Sequence, residues 1–322
     1  MTQSPPPALL IAGPTASGKS ALALEIARRC GGNVINADAM QLYRELPILT
    51  AQPSAAEQAA IPHRLYGVQP AAEAASVAWW REAALAAMAE AWAAGRLPIL
   101  CGGTGLYFRA LTEGLAAIPP IPPAARAEAR ARLAAEGAPA LHARLVALDP
   151  ATAAGLQPGD SQRVARAYEV VLGTGQGLRA WQAAGAVLPP AAARFVAILL
   201  DPPREALRTA IATRFAAMLA AGALAEVQAL AVQGLDPALP AMRAHGVPEL
   251  LAQLGGGLTP AAAAARAVLH TGQYTKRQAT WFRHHALAPP GTTHIIHARI
   301  EGQAQFQESR IGEIFAFIQN WR

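Results

Sequence analysis

Lysine is almost missing from this chain: of its 27 basic residues only two, Lys19 and Lys276, are lysines. Where arginine is the default cation, a retained lysine suits a position that wants a compact point charge rather than a planar fork. Cysteine is equally scarce. Cys30 and Cys101 stand alone, with no paired spacing, which excludes a disulfide framework and a thiolate metal site and leaves two small buried fillers. His270, His284 and His285 have no Cys or carboxylate cluster at ligand spacing, so a metal centre built on them is rejected. Hydrophobic residues make up 53% of the chain, yet no uncharged apolar run reaches the ~20 residues needed to span a bilayer. The apolar excess is largely alanine, broken by Arg and Glu. The opening MTQSPPPALL has neither the basic nor the apolar part of a leader, so a cytoplasmic location with no membrane partner is expected.

What is present is uneven. The net charge of +6 lies wholly beyond residue 117: residues 1–117 hold 8 Lys+Arg against 8 Asp+Glu, leaving 19 against 13 for the rest. Compositional drift in an Arg-rich chain accounts for that excess as readily as a polyanionic partner does, and site residues have to decide. At 322 residues the chain exceeds the ~250–300 that one core serves, so a core plus an appended unit is expected.

The stretch GPTASGKS, Gly13 to Ser20, fits the phosphate-loop pattern G-x-x-x-x-G-K-[ST] at every fixed position. Its context supports it. ALLIA (8–12) is strand-like, SALALEIARRC is helical and stops at Gly31–Gly32, and NVINAD (33–38) is the next strand. A helix from about Ser76, a plausible N-cap, precedes the strand LPILC (97–101), which ends in GGTG; RFVAILLD (194–201) is a further strand. Strands alternating with helices predict an α/β fold, a P-loop NTPase-like doubly wound parallel sheet with its ligand at the strand carboxyl ends, where the loop, Asp38 and Thr104 fall. Between Leu115 and Pro190 prolines and helical patterns replace strands. The expected organisation is a core over 1–117, a helical insertion domain over 118–190, and core completion with basic helices over 191–322. After Asp201 the chain reads as helical to about His285, broken by GLDPALPAM and GGGLTP, and THIIHARIEGQ is a possible last strand.

In the loop, backbone N–H groups and a helix N-terminus form an anion cradle, to which Lys19 adds charge and Ser20 a magnesium ligand. Asp38 and Asp201 both end apolar strands. Asp38 is read as a general base, with a cap or an outer magnesium ligand as the alternative; Asp201, before Pro-Pro, is read as a carboxylate at the start of a helix. In GDSQRVARAYEVV, Asp160 or Ser161 caps a helix that carries Gln162, Arg163 and Arg166 as a polar stripe, able to meet RNA or simply solvent. Further on, Arg266, His270, Gln273 and Arg277 share a helix face with Lys276, Trp281 and His284 close by, a pattern suited to single-stranded RNA. Trp281 and Phe282 themselves are read as core.

Taken in order from residue 9 to about 283, the blocks GPTASGKS, NADAMQLYR, LTAQPSAAEQAAIPHRL, LPILCGGTGLYFRAL, LDPPREAL with RFAAMLAAGALAEV, and YTKRQATWFR resemble the tRNA dimethylallyltransferase (isopentenyltransferase) family. The resemblance implies a prenyltransferase that moves a dimethylallyl group from dimethylallyl diphosphate to the exocyclic amine of the adenosine 3′ of a tRNA anticodon, releasing pyrophosphate, with magnesium. It implies that Gly13, Pro14, Thr15, Ala16, Ser17, Gly18, Lys19 and Ser20 hold the diphosphate, with Ser20 on the metal. Catalytic roles fall to Asp38 as base, Thr104 near the reacting groups and Arg214, in a block with Met218, on the diphosphate. The implied tRNA contacts are Asp38, Ala39, Met40, Gln41, Thr104, Arg126, Gln162, Arg163, Arg166, Lys276, Arg277 and Gln278. A cytoplasmic, monomeric enzyme is expected. Departures from the family pattern stand at Ala39 (commonly Ser), at Gln52 (commonly Lys) and in AHGVPEL, where Val247 and Pro248 replace an aromatic and a base. Two competing readings carry their own tests. A small-molecule kinase would need Asp38 or Asp201 as the partner of nucleotide magnesium; a non-catalytic RNA binder would have no use for an Asp beside the loop.

Overall fold

The computed structural model describes residues 4–116, 118–301 and 308–321. They divide into two compact units, Met1–Thr112 with Ala191–Arg322, and Glu113–Pro190. In chain order the first unit begins with β1 (Pro7–Ala12), α1 (Lys19–Cys30), β2 (Gly32–Asn36), α2 (Ala55–Ala60), β3 (His63–Arg64), α3 (Val77–Ala93), β4 (Leu97–Gly102) and α4 (Gly105–Thr112). The second unit holds β5 (Leu115–Ala116), α5 (Pro123–Leu148), α6 (Pro150–Ala153), α7 (Ser161–Thr174), α8 (Leu178–Ala183) and β6 (Ala186–Leu188). The first unit resumes with β7 (Arg194–Leu200), α9 (Arg204–Ala220), α10 (Ala223–Val232), α11 (Val247–Leu254), α12 (Pro260–His284), β8 (Thr293–Ile296) and α13 (Glu308–Trp321).

The main sheet has six strands in the order β3-β2-β4-β1-β7-β8, every pairing parallel. The central strands β4, β1 and β7 are nearly continuous apolar runs because both faces are covered. Along β1, Ala8, Leu10 and Ala12 face one core with α3, α4 and Phe282 of α12, whereas Leu9 and Ile11 face another with α1 and Ile314 and Ile318 of α13. The alternation is the two-residue period of a strand read against two helical layers. Local signals fix the helix ends: Ser76 accepts from Trp79 N–H at 3.1 Å, and Gly31, left-handed at φ +64°, closes α1. β1 and β4 are neighbours, but the chain leaves β1 for β2 and leaves β4 toward β7. The crevice at their carboxyl ends is therefore the topological switch point of a P-loop NTPase-like α/β fold.

The second unit is built on α5 and α7, packed through Ala129, Leu141, Leu145, Val164, Ala167 and Tyr168. The backbone of α5 bends sharply at Gly137, φ +80°, with Pro139 two residues on. Asp160 caps α7, accepting from Arg163 N–H at 3.1 Å.

The structure refines the sequence reading in four places. The segment read as strandless contains β6, antiparallel to β5; two- and three-residue strands leave no periodic pattern. The helical run after Asp201 bends at Gly222 and includes α11 between the two expected breaks. The possible last strand is β8, only four residues long, and the end of that stretch, Gly302–Gln303, lies outside the described residues. Finally, α13 follows it, unanticipated, and buries Ile314 and Ile318 against the sheet.

Candidate active site

The loop from Gly13 to Ser20 leaves β1 and enters α1 at the switch point. It is tightly enclosed. A Cβ on Gly13 would lie 2.8 Å from the Leu200 carbonyl oxygen, and Gly18 has φ +93°, so both glycines are sterically required. Ala16 takes φ +66°, uncommon for a residue with a side chain. Lys19 is buried, and its Nζ reaches the Pro14 carbonyl at 3.5 Å. Burial lowers its pKa, a tendency opposed by the carboxylate of Asp38 and reinforced by Arg214. The Ser17 hydroxyl is fully buried with no hydrogen-bond partner among the described residues. An orphaned polar group of this kind costs on the order of 1–3 kcal/mol, and an anion in the loop is the sort of partner that would relieve it.

The facing side of the crevice is set by side-chain-to-backbone bonds. Asn36, fully buried at the end of β2, accepts from Asp38 N–H at 2.8 Å and donates to the carbonyls of Asp38 and Leu65 at 2.9 Å each. That clamp sets the turn carrying the Asp38 carboxylate. One carboxylate oxygen accepts from Met40 N–H at 3.1 Å. The Thr104 hydroxyl accepts from Ala39 N–H at 2.9 Å, and Thr104 N–H donates to Ala37 O at 3.1 Å. Gly102 lets these strand ends meet: a Cβ there would fall 2.0 Å from Ala37 O. Gln278 of α12 joins the two sides. Its Oε1 accepts from Thr15 N–H and its Nε2 donates to Gly103 O, each at 2.9 Å.

Between the two sides lies a partly open cavity. Thr15, Lys19 and Ser20 line it from the loop, Asp38, Met40 and Gln41 from the turn after β2, and Arg214 and Met218 from α9, with Phe215, His245 and Tyr274 completing the wall. Gln41 commits its amide nitrogen to the carbonyls of Thr50 and Ala51, 2.9 Å each, leaving its side-chain oxygen as the end free to meet a ligand. Arg214 has its pKa lowered by burial, with Asp38 acting the other way and Arg299 adding to the lowering. The Tyr274 hydroxyl is held in its neutral, donating form by burial and by Asp38. The cavity thus sets two cations against one carboxylate, with an aromatic wall between.

Among the described residues no group of three or more His, Cys, Asp or Glu could hold a metal. The Ser20 hydroxyl and the Asp38 carboxylate are hard oxygen donors lining the same cavity, too few for an all-protein cage. That set fits a magnesium-like cation held mainly by phosphate oxygens and water.

Other sequence candidates fall elsewhere. Asp201 does not cap α9, whose N-cap is Pro203; it forms a two-pronged ion pair with Arg283 at 2.9 and 3.1 Å. That pairing replaces the reading of Asp201 as a helix-start carboxylate. Lys276 and Arg277 are exposed on α12, with the Arg277 guanidinium 5.5 Å from the Tyr274 ring centre. Arg277, His270 and Gln273 border a depression shared with Arg243 and His245. Arg126, Gln162, Arg163 and Arg166 are exposed on the second unit, where Arg163 pairs with Asp160 at 3.4 Å and Arg166 with Glu169 at 2.5 Å. Phe282 is buried and Trp281 stacks on His285 at 4.2 Å, both as packing residues. Cys101 is buried, which pushes its thiol up to about 12, whereas Cys30 is half-exposed. Gln52 donates to Tyr43 O at 2.8 Å, Val247 is fully buried and Pro248 sits in the first turn of α11, so three of the departures serve the fold. His245, Tyr274 and Arg299 are functional candidates that the sequence reading does not single out. His245 and Tyr274 lie inside the blocks AHGVPEL and YTKRQATWFR, whereas Arg299 stands beside the loop with no motif.

Comparison with known proteins leads to the same assignment from an independent direction. The signature described as IPP transferase matches residues 41–285, and that described as isopentenyl transferase matches residues 7–71. A tRNA dimethylallyltransferase of Gluconacetobacter diazotrophicus is 61% identical over 312 residues, covering 97% of this chain and 94% of the relative. One from Acidiphilium cryptum is 59% identical over 326 residues, with 99% of each chain covered. Among solved structures, the tRNA isopentenylpyrophosphate transferase of Bacillus halodurans is similar with a TM-score of 0.68 and 31% identity over 98% of this chain and 96% of that one. A eukaryotic dimethylallyltransferase described as acting on tRNA gives a TM-score of 0.79 and 25% identity, covering 98% of this chain and 80% of that one.

Proposed function

The chain belongs to the IPP transferase family of tRNA dimethylallyltransferases, and we propose that it transfers the dimethylallyl group of dimethylallyl diphosphate to the exocyclic amine of the adenosine 3′ of a tRNA anticodon, releasing pyrophosphate. The observation that carries the reading is a single cavity lined both by the phosphate loop with Lys19 and Arg214 and by the carboxylate of Asp38. An adenine amine is a weak nucleophile, so the allylic carbon has to be made electrophilic by a good leaving group. The carbon–oxygen bond to the diphosphate breaks, a carbon–nitrogen bond to the amine forms, and the amine proton passes to Asp38. Loop N–H groups, Lys19 and Arg214 meet the charge that grows on the departing oxygen; losing one such donor typically costs about 10²–10³ in rate.

Ser20 is the residue that would hold magnesium, which when bound neutralises diphosphate charge. The oxygen of Gln41 and the rings of His245 and Tyr274 suit a flipped base, and Thr104 holds the Asp38 turn in register through Ala39. Gln278 in this reading supports the two loops from behind and does not face the RNA. Arg126, Gln162, Arg163, Arg166, Lys276 and Arg277 supply exposed hydrogen-bonding and cationic groups for RNA. Among the described residues no single helix is long and apolar enough to cross a membrane, in keeping with a cytoplasmic enzyme, which we take to act as a monomer. The test is incubation with labelled dimethylallyl diphosphate, magnesium and bulk tRNA, then digestion to nucleosides. Label is expected in a prenylated adenosine; label that stays in the donor, with intact tRNA and folded protein, contradicts the proposal.

A further inference from the structure

One charged side chain beside the loop has no part in the steps above. Arg299 follows β8, and its Nε–H donates to the Ala16 carbonyl at 3.0 Å, 283 residues away in sequence. The next residue repeats the contact through its backbone, Ile300 N–H donating to the Ser17 carbonyl at 3.0 Å. The fit is close: a Cβ on Gly18 would fall 2.1 Å from the Ile300 carbonyl oxygen. Two consecutive carbonyls of the phosphate loop are therefore held from outside by one stretch of chain.

A trans peptide carries its C=O and N–H on opposite sides. Holding the Ser17 carbonyl outward directs the Gly18 N–H inward, toward the anion position. Ala16 sits at φ +66°, a conformation that is strained for a residue with a side chain. A guanidinium on its carbonyl favours that turn. Successive N–H groups fixed in a left-handed turn are what an anion-binding nest requires. Charge acts in the same sense. Arg299 bears on Arg214, the cavity arginine, and its own Nη1 pairs with Glu301 at 2.7 Å. Arg299 thus adds a third positive charge near Lys19 and Arg214, against the one carboxylate of Asp38, and an anion in the loop would balance it.

We propose that Arg299 is a positioning residue for the prenyl diphosphate, and that residues 299–300 form the outer half of its cradle by locking the 16–18 turn in its anion-binding form. The inference rests on the reading that this loop holds the donor diphosphate, and the experiment separates the two. Inorganic pyrophosphate with magnesium is titrated calorimetrically into wild type, Arg299→Ala and Arg299→Lys, with donor KM, kcat and tRNA affinity measured alongside. The Arg299 side chain is 26% exposed, so truncation should leave the fold intact, checked by melting. Expected is a roughly tenfold rise in pyrophosphate Kd and donor KM for Arg299→Ala, about the worth of one charge-assisted hydrogen bond. kcat should change less and tRNA affinity not at all, and Arg299→Lys should recover under half of the loss. Wild type that binds pyrophosphate, with variants that bind equally well, overturns the inference; so does full recovery by lysine, which would leave only charge at work. Wild type that binds no pyrophosphate overturns the underlying reading instead. In that case amide exchange of residues 13–20 without ligand still decides the positioning role: faster exchange in Arg299→Ala supports it and unchanged exchange refutes it.

Discussion

Replacing Gln278 with alanine should damage the loops and spare RNA binding. The side chain is 5% exposed, and its two ends are taken by Thr15 N–H and Gly103 O. Truncation leaves one donor and one acceptor without partners, at about 1–3 kcal/mol each for buried groups. Allowing for partial hydration of Thr15, the loss is ~2–4 kcal/mol, or roughly 4–16 °C in melting temperature for a unit of this size. Glutamate should do no better. One carboxylate oxygen can still accept from Thr15 N–H, but the other meets the Gly103 carbonyl where a donor stood. Because Thr15 lines the donor cavity, the KM for dimethylallyl diphosphate should rise in both variants while tRNA affinity holds. Differential scanning fluorimetry, donor kinetics and tRNA gel shifts read the three quantities. A normal melting temperature with weakened tRNA binding would refute the bridging role and return Gln278 to the RNA face.

Asp38→Ala should lower single-turnover prenylation by about 10²–10⁴-fold with tRNA affinity kept, since the base acts on the proton and not on binding; a near-normal rate eliminates that role. Affinity for tRNA should fall steeply with salt, and Lys276→Ala or Arg163→Ala should each reduce the log–log slope by about one if they meet phosphates; an affinity independent of salt counts against both. Burial lowers the pKa of His245 and of His63, so below the ordinary histidine value of about 6.5 the unfolded chain binds more protons than the folded one. Stability should therefore be fully present above that pH and fall as pH drops through it. Urea midpoints that rise between pH 7 and pH 5.5 would contradict this.

The parts of the fold that can be read from sequence are those whose signals are local. GPTASGKS, the apolar runs of β1, β4 and β7, Ser76 and Gly31 each state their own conformation, and with them the placing of Asp38 and Thr104 at strand ends. What escapes is long-range. β6 is three residues long and exists only because β5 is there to pair with it. The ion pair of Asp201 with Arg283 spans 82 residues, and nothing in LDPPREAL announces it. Gln278 stands in a basic block that reads as RNA-facing, and nothing local announces its bonds to Thr15 and Gly103, which lie 263 and 175 residues away. Arg299 has no motif at all, because its role is set by where β8 delivers the chain.

The central claim is that the loop holds the leaving group of the reaction and not a nucleotide consumed to drive it. Its most direct test is a parallel count of prenylated adenosine, pyrophosphate and ADP, with ATP present or omitted, for wild type and Lys19→Ala. Protein, magnesium, dimethylallyl diphosphate and tRNA alone should give one pyrophosphate per prenyl group. Lys19→Ala should lose rate by about 10²–10³-fold while tRNA affinity stays within about twofold. Turnover that requires ATP, or ADP that appears in step with product, would make the loop a nucleotide site and contradict the account.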